Sequence, residues 1–176
     1  MPETAKLSAP AGLEGVRVKV RQYFRWAREV RPIVRRYAEE ITQGLEPRDT
    51  YGLMRALYNF VRDKVDYRSD PGGIRGSIEY TKAPWIMLEE IEKRGLSAGD
   101  CDDHAALLVG LLYSIGIPAG VMVTWAPGNE SKEPDHIYAV GFDSIRGRWI
   151  ALDAVNKSDP IAWERPFRES RRFILK

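Results

Sequence analysis

Apolar residues recur at a helical spacing from about Arg21. Tyr23, Phe24, Ala27, Val30, Val34, Tyr37 and Ile41 fall on one stripe, the pattern of an amphipathic helix with one face on a core. Pro32 interrupts it, and its ring excludes Arg31 from the α region, so a split or kink is expected there. A second helix is expected from Asp49, a good N-cap, through Leu53, Leu57, Phe60 and Val61, ending before Tyr67. "SDPGG" (69–73) has the composition of a turn. "PWIMLEEIEKRG" (84–95) opens with Pro and closes with Gly, as helices do. A further helix carries Ala105, Leu108, Leu111, Leu112 and Ile115 and stops at Gly116, with Pro118 beyond.

After residue 118 the period shortens to two. "AGVMVTWA", "HIYAVGFD" and "RWIALDAV" read as strands, the last two joined by "SIRG". Helices first and an antiparallel meander afterwards make an α+β fold. Residues 1–15 are small, polar and Pro/Gly-rich and are expected to form a flexible tail, leaving 16–176 as a single domain.

Composition narrows the picture little. The chain of 176 residues is 44% hydrophobic and 30% charged, with 27 Lys+Arg against 25 Asp+Glu. A net charge of +2 does not by itself demand a polyanionic partner. A single cysteine can form no internal disulfide. The N-terminus lacks a signal-peptide pattern, and no apolar run is long enough to span a bilayer. A cytoplasmic protein without a membrane span is therefore expected.

That cysteine, Cys101, sits at the first turn of its helix, after Gly99 and Asp100. Free N–H groups and the positive dipole end there favour a thiolate and suit an oxyanion. It also lines up with Ala105 and Leu108 on the wheel, so a core role stays open. A thiol nucleophile needs an imidazole and a group to orient it. His104 lies on the same helix, too local for a base, and reads as a rim residue. His136 opens a strand; with the turn centred in "SIRG" it faces Val155 and lies diagonal to Asp153. Those positions share a face of the sheet, as a His–Asp pair requires.

"GDCDDHAALLVGLLYSIGIPAGVMV", then "HIYAVGFD", then "WIALDAV", resembles the transglutaminase-like superfamily of papain-type cysteine enzymes. The "Gly-Ile-Pro" at 116–118 matches a common pattern in it, and the resemblance is strongest over 84–155. It implies a Cys-bearing helix packed on an antiparallel sheet with N-terminal helices. It places the nucleophile on Cys101, the base on His136 and the orienting acid on Asp153. The implied activity is acyl transfer on a peptide or amide bond of a peptide or protein substrate, by hydrolysis or transamidation. The small relatives it most resembles are encoded among phage and prophage structural genes. That brings in phage structural proteins as partners and virion incorporation as a destination. It also brings in a competing reading: a non-enzymatic virion or assembly component that keeps the fold as a structural part.

Two features depart from the family pattern. Many relatives carry Gln-Ser/Thr-Pro upstream, whose polar side chain serves the oxyanion hole; here Lys82-Ala83-Pro84 stands there, leaving Lys82 or Trp85 as substitutes. Asp100, Asp102 and Asp103 crowd the thiol, which opposes its ionisation. Acids in a first turn suit the helix dipole, with Asp100 as cap. The alternative is a calcium site on Asp100 and Asp102, as in related calcium-dependent bacterial cysteine proteinases; no other cofactor is expected. Dipole and imidazole together are expected to outweigh the aspartates and lower the thiol's pKa.

Arg17, Lys19, Arg21, Arg25, Arg28, Arg31, Arg35 and Arg36, interleaved with Tyr23, Phe24 and Trp26, form a basic aromatic helix. A nucleic-acid contact competes with a solvated outer face whose aromatics pack against the 49–65 helix. The second is favoured, so no specific nucleic-acid partner is expected. Trp125, Trp149 and Trp163 are expected in the core and cleft wall.

Overall fold

The structure, a computed structural model, describes residues 4–7, 12–69, 79–131 and 133–176. In chain order it contains strand β1 (Thr4–Leu7), helices α1 (Leu13–Glu29), α2 (Pro32–Thr42) and α3 (Thr50–Lys64), and strands β2 (Val65–Tyr67) and β3 (Glu79–Lys82). Helix α4 (Pro84–Arg94), strand β4 (Ser97–Gly99), helix α5 (Cys101–Ser114) and strands β5 (Ala119–Trp125), β6 (His136–Asp143), β7 (Arg148–Leu152) and β8 (Glu169–Ile174) follow. The fold is α+β, with α5 packed on an antiparallel sheet and helices preceding it in the chain.

The punctuation in the sequence sets the helix ends. Pro32 occupies the first turn of α2 and Arg31 is extended (ψ 142°), so one apolar stripe becomes two helices. Asp49 caps α3 by accepting from Gly52 N–H at 3.0 Å. Gly95 ends α4 in the left-handed region (φ 81°), where a side chain would be strained. Helix α1 begins earlier than the periodicity indicates, at Leu13, and Thr4–Leu7, within the expected flexible tail, pair antiparallel with β3. The "SDPGG" turn lies, beyond Ser69, outside the described residues.

Helix α5 is the centre of the molecule. It is apolar all round, and Ala105 to Leu112 are buried without interruption, as a helix covered on every side must be. Helices α1 to α4 pack on it from one side, and β5 and β6 from the other. The main sheet runs β7-β6-β5-β8, antiparallel throughout. Ile137 and Ala139 of β6 face α5, whereas Tyr138 and Val140 build a second small cluster on the far face with Ala151.

The aromatics of the basic helix do not lie against the 49–65 helix as expected. Helix α1 packs on α5, Trp26 meets Trp85 of α4 edge-on at 6.2 Å, and Tyr37 of α2 meets Phe60 of α3 instead. Arg21, Arg25 and Arg28 are exposed, while Arg35 and Arg36 pair with Glu39 and Glu92. Trp125 is in the core, Trp149 half-buried and Trp163 exposed. Among the described residues no helix is long and apolar enough to cross a membrane.

Candidate active site

Hairpin register brings the histidine and the aspartate together. Asp143 pairs with Arg148 across "SIRG", which carries His136 and Asp153 to neighbouring positions on one face. His136 Nε2 lies 2.7 Å from Asp153 Oδ2, with both side chains buried. Asp153 follows the last paired residue of β7 and is fixed by more than its strand. Tyr58 of α3 donates its hydroxyl to the Asp153 carbonyl (3.3 Å) and to the Asp159 carbonyl (2.8 Å). Tyr138 stacks obliquely under the imidazole, ring centroids 5.7 Å apart, and donates to the Glu164 carboxylate.

Cys101 is the first residue of α5. Asp100 caps the helix, accepting from Asp102 N–H at 3.0 Å, and Asp103 reaches back to Asp100 N–H at 3.2 Å. In this reciprocal box the backbone N–H of Cys101 has no part. The other oxygen of Asp103 accepts from Lys82 N–H at 2.6 Å, which ties β3 to the helix start. Gly99 permits this, because a Cβ there would run into the Asp103 carboxylate. The backbone N–H of Ile137, the residue after His136, bears on the cysteine sulfur and favours its ionised form. The thiol in turn points to Asp102 Oδ1 at 3.9 Å.

The sulfur's surroundings overturn the expectation of an acidified thiol. Burial pushes the Cys101 thiol well above its ordinary range, and the Asp102 and Asp100 carboxylates push it further; the Ile137 N–H and Lys19 only partly oppose them. Asp103 is driven up to about 8, chiefly by burial and then by its acidic neighbours, against the pull of the Lys82 N–H. His104 is no rim residue: it is buried, with Nδ1 2.7 Å from Asp100 O and Nε2 3.3 Å from Val65 O. Burial lowers its pKa, and a neutral imidazole can donate to only one of those carbonyls.

Asp100, Cys101 and Asp102 present ligand atoms within 4.8 Å of one another. The donor set does not fit calcium. Asp102 Oδ2 already faces Lys19 Nζ at 3.6 Å, Asp100 Oδ1 holds the helix cap, and a sulfur completes the group. Calcium takes six to eight oxygens. Of the two candidate oxyanion donors, Lys82 spends its ammonium on Glu90 (2.9 Å) and the Ala98 carbonyl (2.8 Å). Trp85 Nε1 is buried with no acceptor among the described residues.

Sequence reasoning missed the residues around the triad positions: Tyr58, Tyr138, Glu164 and Arg165. Arg165 Nη2 stands 3.6 Å from the same Asp153 oxygen that His136 meets. The last two lie in an irregular segment whose sequence carries no periodic signal.

A family model described as the transglutaminase-like superfamily matches residues 35–154. Among solved structures, a candidate cysteine protease from Cytophaga hutchinsonii is 21% identical with a TM-score of 0.51, covering 88% of this chain and 46% of its own. A candidate protease from Parabacteroides distasonis is 12% identical with a TM-score of 0.57, covering 91% of this chain and 32% of its own. A structure of the Rad4/XPC nucleotide excision repair complex is 14% identical with a TM-score of 0.53, covering 90% of this chain and 44% of its own. At these identities the likeness is one of fold, and this chain spans less than half of each of those proteins. No curated protein matches the sequence. The match spans most of the chain, positions 101, 136 and 153 included, and on it the chain belongs to the transglutaminase-like superfamily.

Proposed function

We propose that the chain is a cysteine-nucleophile acyl-transfer enzyme acting on a peptide or amide bond, with Cys101, His136 and Asp153 as its triad. The observation that carries this reading is the buried 2.7 Å contact of His136 with Asp153, two residues brought together by the register of the β6–β7 hairpin. Burial and the neighbouring carboxylates disfavour a resting thiolate at Cys101. His136 takes the thiol proton as Sγ forms its bond to the carbonyl carbon, and the C–O π electrons move to oxygen. The Cys101 backbone N–H, outside the capping box, stabilises that oxyanion. The imidazolium then protonates the leaving amine as the C–N bond breaks. Water or an amine, deprotonated by His136, releases the acyl group. Asp153 holds the ring and stabilises its charge throughout. The substrate is a peptide or protein, with phage structural proteins as the class suggested by the sequence resemblance.

Labelling with a peptide carrying a thiol-reactive acyl-mimic electrophile tests this reading. Modification should fall on Cys101, outpace that of a model thiol, and collapse in His136→Ala. Equal rates in the wild type, the variant and the model thiol would sink the enzyme reading and leave the scaffold role.

A further inference from the structure

The segment joining β7 to β8 crosses from one edge of the sheet to the other, because β8 pairs with β5 and β7 with β6. It is anchored as it goes. Ala162 N–H donates to Ala151 O at 3.0 Å, and Arg168 N–H donates to Trp125 O at 2.8 Å. Between these anchors Tyr138 holds Glu164, so Arg165 arrives beside Asp153. The Asp153 carboxylate is buried, and its Oδ2 meets both His136 Nε2 at 2.7 Å and Arg165 Nη2 at 3.6 Å. Arg165 Nε is itself buried with no acceptor among the described residues, which leaves Asp153 as the charge drawing this side chain inward.

We infer that Arg165 is a positioning residue for the triad: it shares the Asp153 carboxylate with His136, orients it, and reduces the negative charge the imidazole feels. This deepens the proposed function and rests on it for its catalytic meaning. A full carboxylate beside a histidine favours imidazolium; a cation close to the same oxygen subtracts from that preference. The other groups around the ring are Tyr138 from β6, His104 from α5, and Glu164, whose charge Tyr138 engages. Tyr58 from α3 holds the Asp153 backbone rather than its carboxylate. Arg165 is thus the cation that contacts the acid of the pair directly, and its 40% exposure limits the effect by screening.

The test is an NMR titration of the imidazole protons, which come from only two histidines. Arg165→Gln should raise the His136 midpoint by about half a pH unit, a roughly threefold change in proton affinity. Arg165→Lys, which keeps the charge, should restore the wild-type midpoint. Arg165→Met, which keeps the aliphatic stem, serves in place of the glutamine variant should that one unfold. An unmoved midpoint in a folded charge-removing variant, or a lysine variant shifted as far as the glutamine one, overturns the inference. The titration needs no turnover. An unreactive Cys101 would sink the triad proposal, while an unmoved midpoint beside a reactive Cys101 would sink only the role of Arg165.

Discussion

The two halves of the site follow opposite electrostatic plans. At the sheet, His136 and Asp153 form a buried hydrogen-bonded pair, with Arg165 beside the carboxylate and Tyr58 on the Asp153 carbonyl. At the start of α5, Cys101 sits among three acids, Asp100, Asp102 and Asp103, with Lys19 as a nearby cation on Asp102. One half pairs the imidazole with a carboxylate; the other resists a negative sulfur. Under the proposed function the difference assigns the work: the histidine would draw the proton during attack, because the helix start disfavours a thiolate.

The sharpest way to break that division is to remove the base. His136→Ala should slow acyl-electrophile labelling of Cys101 by about two to four orders of magnitude, the usual worth of a general base. Intact-mass kinetics with a thermal melt as folding control measure this. A loss below threefold would show that the sulfur needs no help from the sheet.

The helix start can be broken separately. Asp103→Ala leaves the Lys82 and Asp100 N–H groups without their acceptor and should cost about 2 kcal/mol in urea unfolding. The sign of its pH dependence follows from a folded pKa of about 8 against an ordinary 3.8. The unfolded chain releases this proton first, so the carboxyl's contribution is complete below about pH 4 and is lost as pH rises towards 8. The variant should therefore lag the wild type most in acid and least near pH 8; a gap that widens with pH would contradict the raised value.

A smaller effect probes the sulfur's own field. Asp102→Asn removes the nearest acid and should lower the thiol pKa, raising the alkylation rate at pH 7.5 by about three- to tenfold. Lys19→Ala should move the rate the other way, since Lys19 opposes the aspartates. Alkylation with a small neutral reagent across pH 6–10 separates the two. An unchanged rate in Asp102→Asn would mean that burial alone holds the thiol up.

Much of this arrangement was legible in the sequence, for identifiable reasons. The helices announced themselves through Pro32, Asp49, Pro84 and Gly95, local signals that act within a turn. The His136–Asp153 pairing followed from hairpin parity, which needs only the position of one turn. Strand β8 was not legible, because "ESRRFI" is half charged and gains its place only by pairing with β5. The two-stranded pairs β1–β3 and β2–β4 are three or four residues long, too short to show a period. The thiol's direction of shift was misjudged because burial is a tertiary property. Burial is the largest cause raising the Cys101 thiol, and no local pattern around residue 101 displays it. Arg165 was invisible for a similar reason: only the crossing of the sheet brings it to Asp153.

The smallest expected effect is that of calcium, and it bears on how the acids are balanced. An acidic cluster can be neutralised by a cation from solution or by one supplied by the chain. Here Lys19 stands 3.6 Å from Asp102, with only 18% of its side chain exposed. A divalent ion entering this cluster would have to displace that ammonium and undo the Asp100 cap, and it would gain two carboxylates and a sulfur for its trouble. Binding to the folded state raises the melting temperature in proportion to the logarithm of ligand over Kd. Millimolar calcium should therefore leave the melting midpoint and the Cys101 alkylation rate where they are, and a chelator should do the same. In Lys19→Ala the balance changes, since the two carboxylates lose their built-in counter-ion, and a small calcium-dependent rise in the midpoint should emerge. A rise of several degrees in the wild type would mean that the lysine yields its place, and the account of a self-neutralised cluster would fall.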